Sequence, residues 1–182
     1  MNFKTHFLLM ADYNLRMNDQ VILASCELSH IAITSDNGAF FGSILGTLNH
    51  ILVGDLIWLS RFSTHSNRYR SLIERSNLPK PTELNEMLCS SLDTFKVVRN
   101  RVDLAIKFWL LNDVIDDDFT LSLQYANTKG VISERNFASL LSHLFNHQTH
   151  HRGQVSSLLH QQGVDIGITD FLIDIPDIKL TS

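Results

Sequence analysis

His143, His147, His150 and His151 crowd into one short stretch, followed at once by Arg152 and, two residues on, Gln154. The chain has nine histidines in 182 residues, so four of them within 143–151 is a concentration, not a scatter. The surrounding residues, from Asn136 to about Gln162, read as a helix. Residues four apart on a helix are separated by about 40° around the axis and one turn along it. His143, His147 and His151 therefore stand in file on one face. Imidazoles at i and i+4 can hold one metal ion between them, the geometry of the helical His-x-x-x-His of zinc proteases. The Glu that makes that motif proteolytic is absent, because Gln148 follows His147. The pattern points to metal ligation and away from that protease class.

Two imidazoles make a weak site, so a third ligand is expected from a neighbouring helix. His50 is the best candidate, as the only histidine in a long apolar run, with Asn49, Asp55 and Trp58 within about two turns. Taken by itself, a buried histidine is more often a hydrogen-bonded core residue than a ligand. His143 and His150 compete as further ligands: His143 lies in file with the pair, and His150 is about 60° off the His147 direction. Three imidazoles with open coordination positions make a catalytic kind of site, not a closed structural one. Imidazole ligation does not choose among zinc, nickel, iron and cobalt; zinc and nickel are the ions expected to be observed. Arg152 and Gln154 are candidates to orient ligands or to bind an anionic substrate; their ordinary reading is a solvated Arg and a plain polar helix residue. No Asp or Glu stands beside the paired histidines as a general base, which a water-activating hydrolase would use. A thiol needs less help, since metal coordination deprotonates it. Asp55, five residues after His50, is a candidate carboxylate partner that would orient a ligand from behind.

The elements that must carry these residues read as four long helices. Apolar residues recur at helical spacing from Phe3 to about Leu28, and the polar, turn-rich segment 29–38 ends that run. A second helix, from about Phe40 to Phe62, is apolar nearly all round and belongs in the middle of a bundle; Asn49, His50 and Asp55 inside it then need partners. Residues 63–81 read as a long loop. Thr82 is a plausible N-cap for a third helix reaching about Leu111. Phe119 to Tyr125 alternates with period two, Asn127–Gly130 is a turn, and Val131–Ser133 can pair back, which predicts a hairpin before the histidine helix. Gly163 is a good C-cap, and the apolar residues of the tail 164–182 predict packing on the bundle or on a partner subunit. The expectation is an all-α four-helix bundle with a small β-hairpin before the fourth helix, in one domain spanning 1–182.

Composition narrows the function classes. A formal charge of −4 and a pI near 6.1 provide no basic field for a nucleic-acid backbone. No run approaches the ~20 apolar residues of a membrane helix, and the short apolar N-terminus lacks a cleavage site, so a cytoplasmic protein is expected. Cys26 and Cys89 are read as buried small apolar residues of a reducing compartment.

The stretches Phe40–Leu59 and His143–Gln154, together with Tyr13-Asn14 and the turn region Tyr125–Gly130, resemble the signature regions of the DinB family of damage-inducible, metal-binding bundles. The resemblance runs from about Met10 to Gly167. It departs from the family pattern at Arg16-Met17, where an aromatic is usual, and at Ser156-Ser157, where a histidine or alanine is often seen. It implies a bundle of up-down-down-up topology, a divalent metal held by His50, His147 and His151, and commonly a homodimer. It also implies a range of activities, among them thiol-dependent S-transfer with low-molecular-weight thiols such as bacillithiol or mycothiol. The leading expectation is a metal-dependent enzyme that activates a thiol or water toward a small electrophilic substrate. The alternatives are a metal-dependent hydrolase, a non-enzymatic metal-binding protein of the stress response, and a purely structural layer of core histidines.

Overall fold

In the computed structural model, residues 2–74 and 78–177 are described. Six helices run in the order α1 (Phe3–Ser25), α2 (His30–Thr34), α3 (Ile44–Phe62), α4 (Arg70–Glu74), α5 (Leu92–Asn112) and α6 (Phe137–Gln161). Strands β1 (Ser122–Ala126) and β2 (Ile132–Asn136) form an antiparallel hairpin between α5 and α6, with Leu123 opposite Arg135 and Tyr125 opposite Ser133. The four long helices start at side-chain caps: Asn2, Ser43, Ser91 and Asn136 each accept a backbone N–H of the first turn. These caps satisfy donors that have no intrahelical partner.

The long helices α1, α3, α5 and α6 make the predicted bundle, and its contacts give the direction of each helix. Asp12 pairs with Lys107 and Asn18 with Asp103, so α1 and α5 are antiparallel. Phe7 stacks on Phe145 and Asn14 meets Arg152, so α1 and α6 are parallel. Asp55 meets Arg99 and Phe62 stacks on Trp109, so α3 and α5 are parallel. His50 touches His151 while Trp58 touches His143, so α3 and α6 are antiparallel. In chain order this is up, down, down, up. Because α3 and α5 run the same way, the chain must travel the length of the bundle between them, which is the job of residues 63–91.

That crossover corrects the sequence reading in two places. Part of the expected loop is the short helix α4, and the third long helix starts at Leu92, not after Thr82. Ser91 caps it through a reciprocal pair with Thr94. The Thr82 N–H is instead taken by the Glu86 carboxylate at 2.9 Å. Asn49 then accepts from the Cys89 N–H at 2.8 Å and donates to the Cys89 carbonyl at 3.0 Å. A helix through 82–90 would use those backbone groups itself, so the side chain of Asn49 wins the competition. Smaller differences follow from local turns. The helix read from about Phe40 begins at Ile44, because Gly42 adopts φ +76° in a tight turn before the Ser43 cap. The turn-rich segment after α1 contains α2, and Phe119 lies in a 3-10 turn ahead of β1.

The core is continuous, and its end away from the histidines is aromatic, with Phe62, Tyr69, Trp109, Phe119 and Phe137 packed together. Each such ring contributes roughly 1.5–3 kcal/mol by leaving water. Val164 and Ile166 of the tail are buried, and Phe171 meets the Tyr13 ring edge-on, while Leu172 and Ile173 stay exposed. Cys89 is buried as expected. Cys26, the C-cap of α1, is exposed, and both thiols are free. No helix among the described residues is long and apolar enough to cross a membrane.

Candidate metal centre

On α3, His50, Gly54 and Trp58 are four apart and share a face; on α6, His151, His147 and His143 do the same. With the two helices antiparallel, the files meet in reverse order. Gly54 is what lets them close. A Cβ built on it would lie 2.8 Å from Cε1 of His147, so the imidazole rests directly on the backbone of α3. His50 is reached from both sides, with ring centroids 5.0 Å from His147 and 4.5 Å from His151. One nitrogen from each of His50, His147 and His151 lies within 4.8 Å of the others.

The hydrogen bonds decide which nitrogens face inward. His50 Nδ1 lies 3.2 Å from the Leu84 carbonyl, which can only accept, so the proton sits on Nδ1 and Nε2 turns its lone pair toward His147. His151 Nδ1 is 2.8 Å from Oε1 of Gln154, giving the same tautomer. Such acceptors behind a ligating imidazole fix its ring and raise its basicity. Nε2 of His50 and Nε2 of His147 are 3.1 Å apart. Two nitrogens bound to one tetrahedral ion at ~2.0–2.1 Å would be separated by about 3.3 Å. The donor set and its spacing therefore fit a divalent cation. His147 Nδ1 is buried and has no hydrogen-bond partner among the described residues.

Burial, and then the neighbouring imidazoles, push the His147 pKa down to about 3. His50 and His151 are also held below the usual histidine value, chiefly by burial. All three are neutral at pH 7, the form that binds metal. The Phe41 ring stacks on His50 at 3.8 Å between centroids and meets His151 edge-on, closing one side. None of the three is hydrogen-bonded to an Asp or Glu among the described residues.

The other sequence candidates fall into two places. His143 and His150 stay near the centre but outside the group of three. His143 lies 6.1 Å from His147 and edge-on to Trp58, while the ring of His150 is 4.7 Å from His151. Gln154 touches the site directly, through His151. Asp55 and Arg152 face the opposite way, into the core. Arg99 bridges Asp55 and Asp103; Asp103 accepts from Asn14 and Asn18; and Asn14 accepts from Arg152. Arg152 is only 4% exposed, so it is neither solvated nor aimed at a ligand in the histidine group. Burial pushes the Asp103 pKa up to about 6, against the pull of Arg99 and Asn18. Sequence reading missed this network, although Arg99 and Asp103, four apart on an inward face, were its visible trace. It also missed Gly54, Phe41 and the Leu84 carbonyl.

A model of the DinB family matches residues 1–177, a span that contains all three histidines. The chain belongs to the DinB family. It is 26% identical over 162 residues to Protein DinB of Bacillus subtilis (strain 168), a match covering 88% of each chain. No solved structure matches it significantly. The three-histidine cluster lies within the matched span, between the first half of α3 and the middle of α6, beside Phe41 and the Leu84 carbonyl.

Proposed function

We propose that this DinB-family chain is a metal-dependent enzyme in which His50, His147 and His151 hold a divalent ion, zinc or nickel first. The observation that carries the reading is the convergence of the three imidazoles, with Nδ1 of His50 and His151 already occupied and Nε2 left to the site. A bound ion would supply Lewis acidity and would lower the pKa of a thiol or water offered as nucleophile. The chain's own part is positional. Leu84 and Gln154 fix two rings, Gly54 admits the third, and Phe41 shields one side from water. The lack, among the described residues, of a carboxylate on the three imidazoles favours a low-molecular-weight thiol, transferred to a small electrophile, over water. Val97, Leu104, Phe108 and Leu111 are exposed along α5 at coiled-coil spacing, which supports a homodimer.

The test is elemental analysis of protein purified without added nickel, followed by a thiol-transfer panel. One divalent ion per chain is expected, lost in His147→Ala. Chelation should lower Tm by roughly 5–10 °C if the ion is present at ~100 times its Kd. Metal-free protein, or equal metal in His147→Ala, would sink the metal centre. Metal with turnover that ignores added thiol would point to the hydrolase.

A further inference from the structure

Beyond the metal centre, the α3–α6 seam opens into a groove of about 390 Å³ lined by Trp58, Tyr125, Arg135, Ser139, Leu140 and His143. Its place is set by the same stripe of residues. Trp58 is two turns beyond His50 on α3, and His143 is one turn before His147 on α6, so the groove begins where the histidine cluster ends. His143 links the two, edge-on to Trp58 at 5.3 Å and 6.1 Å from the His147 ring. The hairpin supplies the far wall: in its register Leu123 pairs with Arg135, so Arg135 and Tyr125 rise from the same face of the two strands.

Two features of this groove call for a ligand. Trp58 and Tyr125 meet edge-on at 5.2 Å, and the Arg61 guanidinium packs over both, at 4.7 Å and 5.0 Å from the ring centres. The two rings thus form one aromatic wall of the groove, fixed from outside it by Arg61, which lines the neighbouring cavity. Arg135, on the rim, has no carboxylate partner among the described residues. Arg135, a lining cation without a counter-ion beside an aromatic wall, suits a planar anion, with an Arg fork to receive a carboxylate. The volume lies in the range of small-ligand pockets. One helical turn, about 5.4 Å, separates His143 from His147, a span that one aromatic ring bridges.

We infer that this groove is the substrate subsite of the metal centre and that it takes a planar aromatic molecule bearing a carboxylate, with Arg135 receiving the carboxylate and Trp58 and Tyr125 the ring. The inference extends the metal-enzyme reading by naming a substrate class, but the binding it asserts does not require the metal.

The test uses chelator-treated, full-length protein and two probes of one shape, 1-naphthoate and the neutral 1-naphthylmethanol. The chain has two tryptophans, and Trp109 is fully buried, so the indole N–H signal of Trp58 in a 1H–15N spectrum reads the groove. Naphthoate should move that signal saturably and leave Trp109 in place. Arg135→Gln should weaken naphthoate about tenfold, the loss of one charge-assisted contact, and leave the alcohol unchanged, while Arg135→Lys restores most of the affinity. No saturable shift, equal affinity for acid and alcohol, or an Arg135→Gln variant that binds naphthoate normally would overturn the inference. So would naphthoate binding only after metal is restored, since the carboxylate would then be on the ion. Metal content is measured separately, so a chain that binds naphthoate but holds no metal keeps the groove and refutes the metal centre alone.

Discussion

Gly54→Ala isolates the positioning of one histidine from the stability of the fold. The added methyl would sit 2.8 Å from Cε1, 3.3 Å from Nδ1 and 3.6 Å from Nε2 of His147. Carbon–carbon contacts settle near 3.5–4.0 Å, so the imidazole must retreat by roughly 0.7–1 Å. Metal–ligand distances tolerate about ±0.2 Å, and the displaced ring leaves a site of two imidazoles. Metal affinity should fall on the order of 10- to 100-fold, as when a ligand's supporting contact is removed. The fold should scarcely notice. Alanine is better than glycine inside a helix by about 0.8–1 kcal/mol, which offsets the crowding of a ring free to swing outward, so the metal-free variant should stay within about 1 kcal/mol of the parent. Zinc competition against a chromophoric chelator gives the affinity, and urea unfolding in chelator gives the stability. An unchanged affinity at unchanged stability would refute the argument that Gly54 places His147. If His147→Ala also binds zinc normally, the metal site itself is refuted.

Three further outcomes follow from the same geometry. Asp55→Asn leaves the buried Arg99 with Asp103 alone; it should cost roughly 3–5 kcal/mol in urea unfolding while the folded variant binds metal within a few-fold of the parent, and a loss under 1 kcal/mol would contradict the ion-pair reading. His147 has a folded pKa of about 3 against about 6.5 unfolded, so as pH falls the unfolded chain takes up the proton first. Metal-free protein should therefore lose stability from pH 6.5 downward toward 3, by up to ~1.4 kcal/mol per pH unit from this residue, and His147→Gln should flatten that limb; parallel urea midpoints between pH 7 and 5 would refute it. Asp103 acts in the opposite sense, with stability falling as pH rises through the window from 3.8 to about 6, and should be untouched by that substitution. Finally, Arg16 holds the tail through Asp174 and the carbonyls of Ile168 and Asp170. Arg16→Ala should speed proteolytic cutting beyond Gly167, and an unchanged cleavage pattern would show the tail held by its other contacts, those of Tyr13, Gln20 and Phe171.

What could be read from the sequence was whatever depended on near neighbours along the chain. The i, i+4 spacing of His147 and His151 is local, and so are the helical periods, the start of the histidine helix at Asn136 and the Gly163 stop. His50 was legible for a different reason: a lone imidazole in an apolar helix demands a partner. The start of α5 was not legible, because it turns on Asn49 binding Cys89 forty residues away. Arg152 read as solvated for the same reason. Its partner Asn14 is 138 residues distant, and nothing near Arg152 announces an inward face. The departure at Arg16 looked like a gap in the family pattern; the structure gives it work as the anchor of a tail whose Leu172, Ile173 and Ile175 remain exposed.

The histidine face and the buried polar network belong to one design, visible in the order of residues on α6. His143 is followed by Leu144, His147 by Gln148 and His151 by Arg152; each outward histidine has a neighbour about 100° around the helix that is 0–4% exposed. On α3 Gly54, on the histidine-facing side, is followed by the fully buried Asp55. A hydrophobic core alone tolerates rotation of a helix about its axis, since leucines repack at modest cost. Directed polar contacts do not, because an unpartnered buried charge is expensive. Asp55 on α3, Arg99 and Asp103 on α5, Asn14 and Asn18 on α1, and Arg152 on α6 join all four long helices. The network thus sets the rotation at which α3 and α6 present their histidines. The Asp55→Asn experiment separates this from a purely energetic role: if rotation is what the network controls, the small residual change in metal affinity should come with a changed Trp58 indole signal, since Trp58 rides on the same helix one turn beyond Gly54.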